Sequence, residues 1–246
     1  MQEVFKPLQV PDYHFLLGII ESPLNLTEDR KLKALLASLE KEESDANRDA
    51  INAQLEKEIR YLGSSDVAYL LRQWTTNNAG VAFQEIIRDV AKAIKVEVPR
   101  MGTEREMLEE VVQSYATKQF AALPDDEKQK MLESLGVEQE QAARFIKKSA
   151  GVFALPMLIE AFGSLVVNGL IKNIIFGLIG KIIGHQLAMR LFHFIMGRFP
   201  WWVSWIGPVA WTLSIGWTAF DVQGPAYRKT IPVVLYLGLC SMREKE

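Results

Sequence analysis

The chain has 246 residues, 49% hydrophobic and 24% charged, with a formal net charge of −2 and one cysteine, Cys240. That length allows one large domain or two smaller ones with a full core and no staples. The lone cysteine excludes an intrachain disulfide, and the absence of any block of consecutive Lys and Arg argues against a nucleic-acid partner. The charge is unevenly spread. Residues 1–150 hold 20 Lys and Arg against 26 Asp and Glu, whereas residues 151–246 hold 8 against 4. We therefore expect an acidic helical module over 1–150 and an apolar, basic region over 151–246.

The opening MQEVFKPLQVPDYHF lacks the basic stretch and apolar run of a secretory signal, so an intracellular place is expected. His14, between Tyr13 and Phe15, reads as a boundary residue and not a ligand. Leu32, Leu35, Leu36 and Leu39 fall at i, i+3, i+4 and i+7, one face of a helix. Ile51, Leu55, Ile59 and Leu62 repeat the pattern behind Ser44, a good N-cap, and Gly63 stops it. Val67, Leu70, Leu71 and Trp74 make a third stripe, and Phe83, Ile86, Ile87, Val90 and Ile94 a fourth. Thr103 with Glu106 forms a capping box ahead of Leu108, Val111, Val112 and Tyr115. Pro124 followed by Asp125, Asp126 and Glu127 starts a shorter helix, with proline at its first position, and Gly136 closes it. A last front helix runs from about Gln139 to Ser149. No stretch alternates with period two, so the expected fold is all-α.

The charged side chains of these helices lie opposite the apolar stripes, where they serve as solvated surface. No metalloprotease, Cys-x-x-Cys, P-loop or nucleophile-elbow motif occurs. His185 and His193 are eight apart, about 80° around a helix, and no carboxylate or cysteine completes a ligand set. Catalytic, cofactor-binding and metal-binding residues are accordingly expected to be none.

From Gly151 to Phe199 the chain is apolar on nearly every side, with glycines at 163, 169, 177, 180 and 184. Gly180 and Gly184 form a small-xxx-small step of the kind that lets membrane helices approach. Lys172, Lys181, Arg190 and Arg198 interrupt the run, so a simple spanning helix is not expected there and an interfacial or bundled segment is. Phe199–Phe220 has no charge, and Trp201, Trp202, Trp205, Trp211 and Trp217 crowd within it. These tryptophans are the candidate membrane contacts. Gly207 and Pro208 kink the stretch or fold it into a hairpin, so a full crossing, a re-entrant or buried hairpin and a soluble core all stay open.

The string Asp221-Val-Gln-Gly-Pro-Ala-Tyr-Arg-Lys-Thr-Ile-Pro232 follows. Gly224 and Pro225 break the preceding helix, Thr230 is placed to cap a new one, and Pro232 falls in its first turn. Asp221 and Arg228 could pair across the break, beside Tyr227. This string, with WIGPVAW ahead of it, with SDVAYLLR and GVAFQEIIRDVAKAIKV upstream and with the helix pair from Glu104 to Val137, resembles the uncharacterised bacterial YaaW-like family. That family is grouped with the ubiquinol–cytochrome c chaperones. The resemblance implies an N-terminal helical region, a chaperone-like helical core and a glycine-rich apolar C-terminal portion, with no assigned activity or catalytic residues. The tryptophans and large aliphatics of this chain depart from that pattern and strengthen its membrane character.

The leading expectation is a non-enzymatic helical protein associated with the inner membrane from the cytoplasm. It would act as a stress- or defence-linked effector that perturbs the bilayer under control of the front half. Membrane lipid is then the partner, with a protein client and self-association as further options. The alternative is a chaperone or assembly factor for a membrane protein. A third reading, an enzyme using Asp221, Tyr227 and Arg228, has the least behind it.

Overall fold

The structure, a computed structural model, describes residues 1–21, 26–62, 82–99, 101–149, 151, 153–201 and 227–243. These form helices and connections, with no strand among the described residues. In order they are α1 (Gln2–Phe5), α2 (Val10–Ile20), α3 (Leu26–Lys41), α4 (Asp45–Leu62), α5 (Phe83–Ala93) and α6 (Glu104–Ala122). Then come α7 (Asp125–Ser134), α8 (Gln139–Ser149), α9 (Leu155–Ile183), α10 (His185–Arg198) and α11 (Tyr227–Arg243). The all-α class is as the periodicity implied.

The amphipathic stripes fold as their spacing dictates. Leu32, Leu36 and Leu39 of α3, Ile51, Leu55 and Ile59 of α4, and Phe83, Ile86, Ile87 and Val90 of α5 are all buried. Ser44 Oγ accepts from the Asn47 amide at 3.3 Å, as an N-cap should. Thr103 and Glu106 close their box at 3.2 and 2.8 Å. Pro124 sits at the N-cap of α7, one position earlier than expected. The stripe at Val67, Leu70, Leu71 and Trp74 lies outside the described residues.

The core is built around α11. Every residue from Thr230 to Met242 is buried, and α11 packs most extensively on α6, then on α9, α2 and α5. A Cβ at Gly238 would lie 2.6 Å from Val112 Cγ1 and 2.8 Å from the Leu108 carbonyl oxygen. Only a glycine lets the two backbones cross this closely. Phe15 of α2, Phe176 of α9, Phe192 of α10 and Tyr236 of α11 meet with centroids 4.2–6.1 Å apart, so four helices share one aromatic centre. Residues on both sides of position 150 contribute to this single core.

One expectation needs correcting. Thr230 does not cap α11; the helix already begins at Tyr227, and Thr230 is buried within it. Pro232 is therefore interior, and its missing N–H leaves the Arg228 carbonyl without the usual i+4 donor. The apolar run before Phe199 contains a long helix that packs in part against the core. Leu155–Ile183 is one helix long and apolar enough to cross a membrane, with a mean hydropathy of 1.7 over its best window, 56% of which is buried. Lys172, one of the basic residues that interrupt this run, lies within the packed region, 8% exposed. Gly163 breaks the regular geometry of α9 at φ 82°, ψ 162°, a conformation open essentially to glycine alone. Beyond it, Leu170–Phe176 is buried on every side, as in a helix at the centre of a bundle.

Candidate functional site

Two features could carry function: a buried polar lock between α2 and α11, and a groove roofed by α10. The lock begins at the start of α2. Asp12, three residues after Gln9, accepts from the Gln9 amide at 2.7 Å and so helps to start the helix. The same carboxylate is fully buried. It accepts from Tyr236 Oη at 2.7 Å and from both terminal nitrogens of Arg243 at 2.8 and 2.9 Å, a forked ion pair. At the opposite end Lys229 Nζ donates to the Ile20 and Glu21 carbonyls at 2.6 and 2.8 Å, closing the C-terminus of α2. The two helices therefore run antiparallel, joined at both ends. Arg105 of α6 donates to the Ser241 carbonyl at 2.7 Å and closes the C-terminus of α11 in the same way.

The electrostatics of the lock favour rigidity over reactivity. Burial, and then the Asp12 charge, push Tyr236 and the Cys240 thiol well above their ordinary values, so both stay protonated. Burial works against the charge of Arg243, but its hydrogen bonds to Asp12 and the nearby Cys240, Asp12 and Tyr236 together outweigh this and raise its pKa. Burial lowers the pKa of Lys229. The Asp12 oxygens are taken up by neighbours, which suits a structural tie and leaves no lone pair aimed at a substrate.

The groove, about 370 Å³, lies between α2, α3 and α10. Leu17, Leu36, Leu191 and Phe194 supply its apolar walls, and Gly18 lets Leu191 seat directly against α2. At one end His14 Nε2 meets Glu40 Oε1 at 2.6 Å; at the other Lys33 pairs with Glu21 at 2.7 Å. Glu40 also holds Arg198 at 3.1 Å. The His14 side chain is 16% exposed, a boundary position.

Of the motif residues read from the sequence, the structure places Tyr227, Arg228, Thr230 and Pro232 in the first turns of α11. Tyr227 is half-buried and Arg228 exposed. Asp221, Gly224 and Pro225 lie outside the described residues, and so do Trp202, Trp205, Trp211 and Trp217. Trp201 is described and stands 48% exposed. Asp12, Tyr236, Arg243 and Glu40 were not singled out from the sequence. Only Asp12 leaves a local trace, an acid at the third helical position beside Pro11.

The chain is similar to a UPF0174 protein of Helicobacter pylori (strain J99), 24% identical over 225 residues that cover 89% of this chain and 82% of that one. No family model matches it, and no solved structure does. The similarity supports kinship with an uncharacterised bacterial protein.

Proposed function

We propose that this is a non-enzymatic, membrane-associated helical protein whose segment 155–201 works at the lipid surface of the inner membrane. One observation carries the reading. Eight large hydrophobic side chains stand exposed among the described residues, and six of them lie between Met157 and Trp201: Met157, Ile159, Leu165, Leu187, Phe194 and Trp201. Leu165 is 82% exposed. Scattered exposed apolar residues are ordinary, but their concentration on the basic part of the chain suits a lipid interface. The specific string GPAYRKTIP favours placing the chain in the YaaW-like family. The test is fractionation of cells followed by an alkaline carbonate wash. Recovery in the membrane pellet before the wash supports the reading, and wholly soluble protein rejects it. The effector version further requires dye release from vesicles by the purified chain.

A chaperone or assembly role is favoured by one other feature, the apolar groove beneath α10, which is open to a client segment. Monodisperse protein from a detergent-free lysate, carrying a stoichiometric membrane-protein client, would support this role over the first.

A further inference from the structure

We propose that the exposed face of α10 beside the groove docks on anionic phospholipid headgroups and that Glu40 is the internal competitor for Arg198 at the basic end of this face. The inference rests on the membrane reading above and adds the lipid class and the latch. The helix repeat defines the face. Ala188, Phe192 and Ile195 are buried inward. Leu187, Arg190, Phe194 and Arg198, spaced three, four and four apart, form an exposed flank that borders the groove, whose wall Phe194 also lines.

The charge of the ligand follows from composition. No carboxylate occurs between Glu160 and Asp221, a stretch that contains Lys172, Lys181, Arg190 and Arg198. Guanidinium groups match phosphate with paired hydrogen bonds, while Leu187, Phe194 and Trp201 are suited to the headgroup–acyl boundary.

The latch follows from geometry. Glu40 Oε1, on α3, takes His14 Nε2 of α2 at 2.6 Å and Arg198 of α10 at 3.1 Å. The His14 ring lies 5.1 Å from that of Phe194 and 5.8 Å from that of Phe199. The basic end of the α10 face is thus tied to the body through one carboxylate oxygen. Arg198 is half-exposed, so this tie is screened and weak, of the same order as the pull of an anionic leaflet on one basic side chain. The charge density of the lipid decides which partner Arg198 keeps. Gly184, at φ 87°, breaks the chain between α9 and α10 in a conformation that L side chains rarely adopt, so α10 is set off as a separate helix.

The test uses the full chain and vesicles of phosphatidylcholine, alone or with increasing phosphatidylglycerol, read by co-sedimentation, together with amide exchange of α10 in the absence of vesicles. Glu40→Gln is compared with Glu21→Gln, which removes the same charge from the same groove but pairs with Lys33 instead of α10. Glu40→Gln is expected to reach half-binding at several-fold less phosphatidylglycerol vesicle than Glu21→Gln and to speed exchange in α10. Arg198→Gln is expected to bind several-fold more weakly. Equal shifts for the two glutamate variants, or unchanged α10 exchange in Glu40→Gln, overturn the latch. Equal binding to phosphatidylcholine alone overturns the lipid class while leaving membrane association standing. Faster α10 exchange with no binding to any vesicle rejects the membrane reading itself, and the docking face with it.

Discussion

Asp12 shows what one buried carboxylate does when its surroundings complete it. It starts α2, takes the Tyr236 hydroxyl and pairs with Arg243, whose side chain is 13% exposed. Removing one member of a buried pair strands the other, so Asp12→Ala is expected to cost about 3–5 kcal/mol in urea unfolding. Tyr236→Phe removes a hydroxyl and leaves the ion pair in place, so about 1–2 kcal/mol is expected. Asn173 presents the opposite case. It is 7% exposed, and neither its Nδ2 nor its Oδ1 has a hydrogen-bond partner. Asn173→Leu, close in size and without the polar atoms, is expected to raise the urea midpoint by an amount equivalent to about 1 kcal/mol or more. A lowered midpoint would mean that the amide is satisfied in solution.

At the scale of elements, the closest crossing is that of α11 over α6. A methyl at Gly238 would meet a backbone oxygen, which cannot swing aside, so Gly238→Ala is expected to destabilise by about 1–3 kcal/mol. Gly18→Ala meets only the tip of the Leu191 side chain and should cost less; comparing their thermal midpoints checks the distinction. The same helices explain what the sequence made legible. α3, α4 and α5 each have a wet face, so their burial is written as a period of 3.6 residues. α11 and the middle of α9 are surrounded, and a helix apolar all round has no stripe to read. Composition alone could not separate such a core helix from a membrane segment. The start of α11 was misplaced for a related reason. Thr230 and Pro232 are favourable for a helix N-terminus, but the helix already includes Tyr227, and packing buries Thr230 within it. The lock was illegible because Asp12 and Arg243 are 231 positions apart, and nothing local to either names the other.

For the molecule as a whole, the buried hydroxyls and thiol set the behaviour in alkali. Tyr13 is pushed up to about 12 by burial, and Tyr115, Tyr236 and Cys240 are also raised. Above about pH 9 to 10 the unfolded chain gives up these protons while the folded chain keeps them. Stability contributed by these groups is therefore complete below that range and declines as pH rises through it, by up to about 1.4 kcal/mol per pH unit for each group. Lys229, whose pKa burial lowers, acts in the opposite sense. Unfolding free energy is expected to decline between pH 9 and 12, and Cys240→Ala with Tyr236→Phe should make the decline shallower. The pairing of α2 with α11 also has a consequence in time. Tyr236 lies 224 positions after Asp12, so at about 5–20 residues per second a ribosome needs about ten seconds or more to make the second partner once the first exists. During that interval Phe15 has no Tyr236 to cover it, and a nascent chain in this state is a natural substrate for whatever shields apolar surface during synthesis.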